Sequence, residues 1–337
     1  MNAAAFRLTI DPRVSILALL ASTVSALAQG DLTPPGPPGP TMKSLDEIEP
    51  RTPISSLPFN ITQGGSYYLV TNLRFTDTSG HAIIISVSNV TVDLMGFTLS
   101  SSSGVTGDAI HINGGLHNIA VKNGGIAGNT TVTTNGTPPN RTWTINPAGF
   151  ANGINAVNPN ASGGHFSHLR ISGCRFTGLD AGDRSSVEQI TATQNGSSGI
   201  SGEDLGVTNC TVVSNGGSGV DAGSGSVTNC TVNSNRLSGI SAFVVAHSMV
   251  TGNGSTGIDS AAGSVTNCTA NGNQGTGIFA EFGSVTNCTI SGSGNDGIRA
   301  LSGVVAFCRV ADSNRKNSGG VNIDAAGATR TGNYPTP

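Results

Sequence analysis

The sequence predicts an all-β parallel β-helix, a solenoid in which each turn of the chain stacks on the turn before it. Three observations predict this fold: a repeat of about 20 residues, short strand-like segments within it, and Gly and Asn at fixed positions. Gly precedes an aliphatic residue at Ile200, Val220, Ile240, Ile258, Ile278 and Ile298. Ten residues before each of these lie Ile190, Cys210, Cys230, Ser248, Cys268 and Cys288. We expect about ten turns with three short strands each.

The segment Val227–Val232 shows how one turn is built. Because side chains alternate along a strand, Cys230 and Val232 share a face, and Val227 joins them only if the chain bends at Asn229. Asparagine tolerates the left-handed backbone that such a bend needs. We therefore predict left-handed residues at Asn89, Asn118, Asn209, Asn229, Asn267 and Asn287. A second series, predicted to hydrogen-bond along the stack, comprises Asn195, Asn215, Asn235, Asn253 and Asn273.

A leucine-rich repeat is the alternative fold, because the spacing from Val227 to Asn235 also fits its strand pattern. That repeat needs a large apolar residue two positions after the asparagine. The chain instead has Gly217, Leu237, Ser255 and Gly275 at these positions. Glycine and serine then fill what would be the helical half of each repeat, so the β-helix is favoured.

Composition and the first residues narrow the classes of function. The 337 residues include 48 Gly, and 16 Lys+Arg against 19 Asp+Glu give a net charge of -3. Nucleic-acid binding requires a basic surface, so we expect no nucleic-acid partner. Arg7 and Arg13, an apolar run and Ala26-Leu27-Ala28 predict a signal peptide that is cleaved after Ala28. We expect a monomer that is secreted, periplasmic or on the cell surface, without membrane insertion.

The chain divides into four predicted segments. Residues 1–28 form the signal peptide and 29–41 a Pro/Gly-rich spacer. Residues 42–325 form the β-helix, with an N-terminal cap at 42–80 and an irregular insertion at 126–164. Within the cap, Ser44–Glu47 has capping-box spacing and predicts a short helix. Residues 326–337 form a polar C-terminal tail.

The repeat resembles a known class of proteins. Val-Thr-Asn-Cys-Thr-Val with Gly-Ile/Val ten residues later is similar to the right-handed parallel β-helix repeat of pectate-lyase-like proteins. Leu32–Pro53 followed by Gly64–Leu69 resembles the leader of exported bacterial β-helix proteins of uncharacterised function. The resemblance covers 42–325 and implies a right-handed solenoid. This fold carries lyases, hydrolases, epimerases and non-catalytic surface proteins, so it implies no single activity.

All six cysteines fall on one ladder position of the repeat. Adjacent turns place the Cβ atoms of such a position about 4.8 Å apart, since this is the spacing of neighbouring strands. A disulfide needs a Cβ–Cβ distance of about 3.5–4.5 Å. We therefore predict six free, buried thiols.

The residue after each phased aliphatic faces outward, which predicts one polar row along an exposed sheet. Residues that lie two strands apart along such a row are about 9.6 Å from each other. Asp221 and Asp259 have this spacing and are candidate substrate-binding residues. The predicted row contains His111, Asn155, Asp180, Ser201, Asp221, Ser241, Asp259, Phe279, Arg299 and Asn322.

The densest charged stretch, residues 170–188, contains the candidate catalytic residues Asp180, Asp183, Arg184 and Glu188. In a lyase, Asp180, Asp183 and Glu188 would hold Ca²⁺, the only cofactor we expect. Arg184 or Arg175 would then act as base or bind the uronate. The Asn-Thr-Asp and Gly-His-Gly motifs of polygalacturonases and the Lys expected beside Arg170 in pectate lyases do not occur, which argues against those activities.

The insertion at 126–164 contains Trp143, the only Trp, together with Arg141. Both are candidate substrate-binding residues, because insertions in solenoids lie on one face and often bind ligands. The leading hypothesis is an exported β-helix that binds an extracellular polysaccharide on its exposed sheet, with cleavage by a lyase or glycoside hydrolase as a further option. The alternative is a non-catalytic structural or adhesive cell-surface protein, which the missing catalytic motifs favour slightly.

Overall fold

A computed structural model describes residues 50–138, 140–156, 162–313, 322–325 and 327–335. The predicted signal peptide, spacer and short helix at Ser44–Glu47 lie outside these residues. From Arg51 onward the described residues belong to one compact unit.

The described residues contain 37 β-strands. The strands of the irregular N-terminal half are β1 (Thr52–Ile54), β2 (Phe59–Ile61), β3 (Gly65–Leu69), β4 (Leu73–Phe75), β5 (Ile83–Ile85), β6 (Val90–Asp93), β7 (Thr98–Ser101), β8 (Ile110–Ile112), β9 (Ile119–Ala127), β10 (Thr131–Asn135), β11 (Thr142–Asn146), β12 (Ile154–Ala156), β13 (His165–Ser172), β14 (Leu179–Asp180) and β15 (Ser186–Glu188). The remaining strands are β16 (Thr191–Thr193), β17 (Ile200–Ser201), β18 (Gly206–Thr208), β19 (Thr211–Val213), β20 (Val220–Asp221), β21 (Ser226–Thr228), β22 (Thr231–Asn233), β23 (Ile240–Ser241), β24 (Val244–Ala246), β25 (Met249–Thr251), β26 (Ile258–Asp259), β27 (Ser264–Thr266), β28 (Thr269–Asn271), β29 (Ile278–Phe279), β30 (Ser284–Thr286), β31 (Thr289–Ser291), β32 (Ile298–Arg299), β33 (Val304–Ala306), β34 (Arg309–Ala311), β35 (Ile323–Asp324), β36 (Thr329–Thr331) and β37 (Tyr334–Pro335).

Two long parallel sheets make the solenoid. Twelve strands stack in chain order as sheet 1: β2, β5, β8, β12, β14, β17, β20, β23, β26, β29, β32 and β35. Sheet 2 has 23 strands, and each regular turn gives it two, so that β21 and β22 pair with β24 and β25 of the next turn. The right-handed parallel β-helix and its three strands per turn are confirmed.

The bends between strands are made by left-handed residues at the predicted positions. Asn229 has a φ of 54° and separates the two sheet 2 strands of its turn. All the other predicted asparagines have positive φ as well: Asn89, Asn118, Asn209, Asn267 and Asn287. The prediction that these asparagines form left-handed bends is therefore confirmed.

The second asparagine series is a buried hydrogen-bonded ladder. The side-chain Nδ2 of Asn215 donates to Oδ1 of Asn235 at 2.9 Å and to the main-chain oxygen of Ala192 at 3.1 Å. The main-chain N–H of Asn215 also donates to Oδ1 of Asn235, at 2.9 Å. These side chains are 0 % exposed, and because buried polar groups need partners, each asparagine joins one turn to the next.

Glycine before the sheet 1 strands from β12 to β32 is required by close packing between turns. A Cβ atom added to Gly219 would lie 2.6 Å from the carbonyl oxygen of Gly239 and would overlap Cγ1 of Val232. Only glycine lets the chain enter the sheet at this point. The following aliphatic residue, such as Val220, then points into the core and is 0 % exposed.

The six cysteines are free and buried, as predicted. In the ladder, the main-chain N–H of Cys210 points at Sγ of Cys230, with an N–S distance of 3.4 Å. Burial raises the pKa of Cys174, which marks it as a core side chain and not a reactive thiol.

Strands of the two sheets extend into three of the predicted segments, whose boundaries stay predictions. Strands β1 to β4 already pair in the two sheets, so much of the predicted cap belongs to the solenoid. Strands β36 and β37 pair with β33 and β34, so the predicted tail continues sheet 2. Within 126–164, the end of β9 and all of β12 pair in the parallel sheets, and the residues between them contain the antiparallel hairpin β10–β11.

Candidate functional site

The outward row of sheet 1 is the most distinctive polar surface of the described residues. Strand register aligns Asn155 with His111 and Asp180, and continues the row through Asp221 and Asp259. The predicted row is confirmed from His111 to Arg299, but its last member was wrong. Asp324 and not Asn322 pairs with Arg299, because the turn before β35 is longer than the regular repeat.

A buried carboxylate lies beside the start of this row. Asp108, two residues before β8, is 3 % exposed and accepts four hydrogen bonds. Its Oδ1 accepts the main-chain N–H of Asn152 at 3.0 Å and the side-chain amide of Asn152 at 2.9 Å. Its Oδ2 accepts Nδ2 of Asn155 at 3.0 Å and faces Nδ1 of His111 at 2.8 Å. Four donors around one carboxylate hold it in the ionised form.

The pKa of Asp108 follows from this environment. Burial alone would raise it, but the hydrogen bonds from His111, Asn155 and Asn152 and the nearby His81 outweigh burial and leave it lowered. An ionised carboxylate can only accept hydrogen bonds, so Nδ1 of His111 carries a proton and donates. The neutral form of His111 therefore has its lone pair on Nε2.

His81 completes the cluster from the turn before. Its ring stacks on that of His111 with centroids 3.9 Å apart, and the main-chain N–H of Asp108 donates to its Nδ1 at 3.0 Å. The same Nδ1 lies 3.2 Å from Oδ2 of Asp108, so it faces a donor and an acceptor of the same residue. Burial, and then the nearby His111, lower the pKa of His81, while Asp108 acts in the opposite direction. The two stacked rings therefore both place Nδ1 beside Oδ2 of Asp108.

Among the residues that the structure describes, His81, Asp108 and His111 are the three metal-ligating side chains whose ligand atoms lie within 4.8 Å of one another. Imidazole and carboxylate together suit a transition metal, whereas Ca²⁺ prefers oxygen ligands. Both oxygens of Asp108 already accept two hydrogen bonds each. The donor set therefore fits an oriented His–Asp acid–base pair better than a metal centre.

The sequence contains a signal for this cluster that the regular phasing did not reveal. His81, Asp108 and Asn152 each lie two residues before an inward aliphatic of sheet 1. The equivalent positions of the regular turns hold serine or threonine, as at Ser218 and Thr256, except for Asp296 in the last of them. His111 was placed on the row, but its two partners were missed.

The predicted catalytic stretch 170–188 wraps around the solenoid and does not converge. Asp180 lies on sheet 1 and Asp183 in the corner that follows, and the two carboxylates are close enough to affect the pKa of Asp180. Glu188 lies in β15 on sheet 2, where it aligns with Thr208. Arg184 has a left-handed backbone in the same corner. Its main-chain N–H donates to the main-chain oxygen of Glu203.

Calcium binding by Asp180, Asp183 and Glu188 stays a prediction, which this arrangement does not favour. The charged stretch spans nearly one full turn of the solenoid, so sequence neighbours lie on different faces. The guanidinium carbon of Arg175 lies 5.5 Å from the ring centre of Phe176.

Asp180 and Asp259 both have raised pKa values. For Asp180 the causes that raise it are burial, then Asp108 and Asp183, against one opposing hydrogen bond from the main chain of Gly182. For Asp259 they are burial, then Asp221 and Glu281. The row therefore carries carboxylates that repel one another.

Arg141 and Trp143 lie on the hairpin and bind the flank of the solenoid. The indole Nε1 of Trp143 donates to the main-chain oxygen of Ser234 at 2.8 Å. Arg141 donates to the hydroxyl of Ser234 and, at 3.1 Å, to the main-chain oxygen of Gly252. Nε2 of Gln274 donates to the main-chain oxygen of Arg141 at 2.7 Å. These contacts give the two side chains a structural role, and substrate binding by them stays a prediction.

Comparison with solved structures shows which known proteins have a similar fold. The A-module of a mannuronan C-5 epimerase from Azotobacter vinelandii is 13% identical with a TM-score of 0.50, over 81% of this chain and 87% of that chain. A double mutant of a periplasmic alginate epimerase gives 14% identity and a TM-score of 0.55, over 85% and 77%. The ORF18 protein of Geobacillus virus E2 is 13% identical with a TM-score of 0.51, over 84% of this chain and 56% of that chain.

No protein-family model matches the sequence, and no curated protein matches it. At these identities the likenesses show a shared right-handed parallel β-helix and nothing about activity. Among the residues that the structure describes, there is no helix that is long and apolar enough to cross a membrane.

Proposed function

We propose that this protein is exported, binds an extracellular polysaccharide along the outward row of sheet 1, and acts on it with His81, Asp108 and His111. The observation that carries the proposal is the buried Asp108 carboxylate, which fixes the His111 ring at the edge of an exposed polar row. A solenoid face of this kind is long and continuous, as a polymer requires. The two epimerases of similar fold are named for polysaccharides, which supports the ligand class.

The cluster supplies a base and an acid. Nε2 of His111 accepts a proton from the bound sugar or from a water molecule, and Asp108 stabilises the imidazolium that forms. His81, in the form that carries a proton on Nε2, donates that proton to a departing oxygen. Such positioned groups contribute about 10²–10⁴-fold to a rate. Elimination and hydrolysis of a glycosidic bond both need this pair of roles.

A non-catalytic surface protein is the second candidate. The regular turns favour it, because their outward row repeats Ser and Asp without a cluster like that at Asp108. This candidate requires glycan binding that is never followed by a product.

The test uses the purified full chain with a panel of neutral, amino-bearing and uronate polysaccharides. Binding is measured by affinity electrophoresis, and products by new reducing ends and by the absorbance of unsaturated sugars. We expect turnover of one polymer, and His111→Ala to lower its rate by about 100-fold or more while binding is retained.

His117→Ala is the matched control, since His117 is exposed and contacts Ser88 away from the row. It should leave the rate unchanged. Binding without any product would favour the second candidate, and absence of binding to every polymer would contradict the proposal as a whole.

A further inference from the structure

The C-terminal part of the outward row combines carboxylates with exposed phenyl rings. Asp221 and Asp259 lie two strands apart on the row, with Ser241 between them. Glu281 follows one turn later, close enough to act on Asp259. Every charged group that shifts the pKa of Asp259 is thus another carboxylate, and the local potential is negative.

Phenyl rings lie around these carboxylates. Phe279 is on the row itself, directly next to Asp259 in register. Phe282 is 62 % exposed and Phe243 is 47 % exposed, both in the corner that follows sheet 1. Aromatic residues are only 4% of the chain, and two of the four exposed phenylalanines of the described residues lie in this corner, the others being Phe176 and Phe307. The site therefore offers ring faces as well as negative charge.

One of these rings already contacts a cation of the protein. The guanidinium carbon of Arg299 lies 5.8 Å from the ring centre of Phe279, within cation–π range. The same guanidinium lies 3.9 Å from a carboxylate oxygen of Asp324. Arg299 therefore contacts both a carboxylate and the face of a phenyl ring. A cationic group of a ligand could make the same two contacts on this surface.

We propose that the polysaccharide bound here carries protonated amino groups and is not a polyuronate. This inference rests on the proposed function, because it names the glycan class of the same surface. Ammonium groups would pair with Asp221 and Asp259, and sugar faces would stack on Phe282. A polyuronate would instead place carboxylates against carboxylates, which opposes binding.

The spacing of the row agrees with an extended glycan. Asp221 and Asp259 are separated by two strand spacings, about 9.6 Å. In an extended chain whose sugars alternate in orientation, groups on one face recur at every second sugar. Alternate amino groups of such a chain would therefore meet alternate strands of sheet 1.

The test compares three soluble oligosaccharides of equal length by calorimetry on the full chain: a glucosamine oligomer, its N-acetylated form and a mannuronate oligomer. The buffer keeps the amines protonated and the ionic strength low. We expect the glucosamine oligomer to bind at least about tenfold more tightly than the mannuronate oligomer, with an affinity that falls as salt is added.

The double variant Asp221→Asn with Asp259→Asn should weaken binding of the glucosamine oligomer by about tenfold and change the N-acetylated oligomer much less. Asp312→Asn is the control, because Asp312 is exposed, left-handed and follows β34 of sheet 2, outside the row. Tighter binding of mannuronate, or equal losses for both glucosamine forms, would overturn the inference and leave the proposed function standing. Failure of all three oligomers and of every polymer in the panel would contradict both.

Discussion

The N-terminal and C-terminal halves of the solenoid use the same fold in different ways. From Ile200 to Ile298 the sheet 1 strands recur at a nearly constant spacing, and ladders of Asn and Cys run through the core. Before that, the turn from Ile83 to Ile110 is longer than the regular repeat, and the turn from Ile110 to Ile154 is longer still. The regular half repeats its side chains, whereas the irregular half holds residues that occur once.

This difference separates stability from chemistry. In the regular half each asparagine from Asn195 to Asn253 hydrogen-bonds to the asparagine of the next turn, so this ladder stabilises the stack but creates no special position. In the irregular half Asp108 is satisfied by unlike partners from two turns, His111, Asn152 and Asn155. Unlike partners are what an oriented acid–base pair needs.

The largest expected effect is in the regular half. Asn235→Ala removes hydrogen bonds to Asn215, Asn253 and Val212 in a site that excludes water. We expect the free energy of unfolding to fall by about 4 kcal/mol, at about 1 kcal/mol for each of four lost hydrogen bonds. Urea denaturation measures this, with Thr231→Ala, an exposed position two residues from the bend, as the control. A loss equal to that of Thr231→Ala would show that the ladder is not what holds the turns.

The second prediction concerns the hairpin that joins the halves. Trp143→Ala removes the hydrogen bond to Ser234 and the indole contact with Gly254, so β10–β11 should detach from the flank. We expect a loss of about 2 kcal/mol and new protease cleavage between residues 131 and 146.

Thr144→Ala, on the same strand but exposed, should behave like the wild type in both measurements. If the hairpin of Trp143→Ala resists protease as well as the wild type does, Trp143 does not anchor it. In that case its predicted role in sugar binding becomes the better interpretation.

The smallest effect concerns the row itself. Folding raises the pKa of Asp180, so the folded state prefers the protonated carboxyl, and wild-type stability falls as pH rises through that pKa. Asp180→Asn removes this penalty. We expect a gain of less than about 1 kcal/mol at neutral pH that disappears in acid below the ordinary carboxyl pKa. Melting temperatures across the pH range test it, and a gain that persists in acid would contradict the assigned cause.

The sequence predicted what repeats and missed what does not. The bend at Asn229 and the ladder at Asn235 could be predicted because identical residues at a fixed period have one physical explanation. The cluster at Asp108 could not, because its partners come from turns of unequal length that a single period does not align. The charged stretch 170–188 looked like one site for the opposite reason. Its residues are close in sequence, but they lie on different sides of a turn. The contact of Trp143 with Ser234 spans 91 residues and leaves no local pattern.

The shortened turn between Ile240 and Ile258 has a consequence for how such a chain changes in length. The shortening falls in the corner after Ile240, where Val244 takes the register position that Ser226 holds one turn earlier. The ladders on either side keep their alignment. Insertions and deletions are therefore tolerated at that corner, while a single residue added inside a strand would shift every ladder behind it. Gene duplication can lengthen this molecule by whole turns, and each added turn extends the outward row of sheet 1 by one strand spacing.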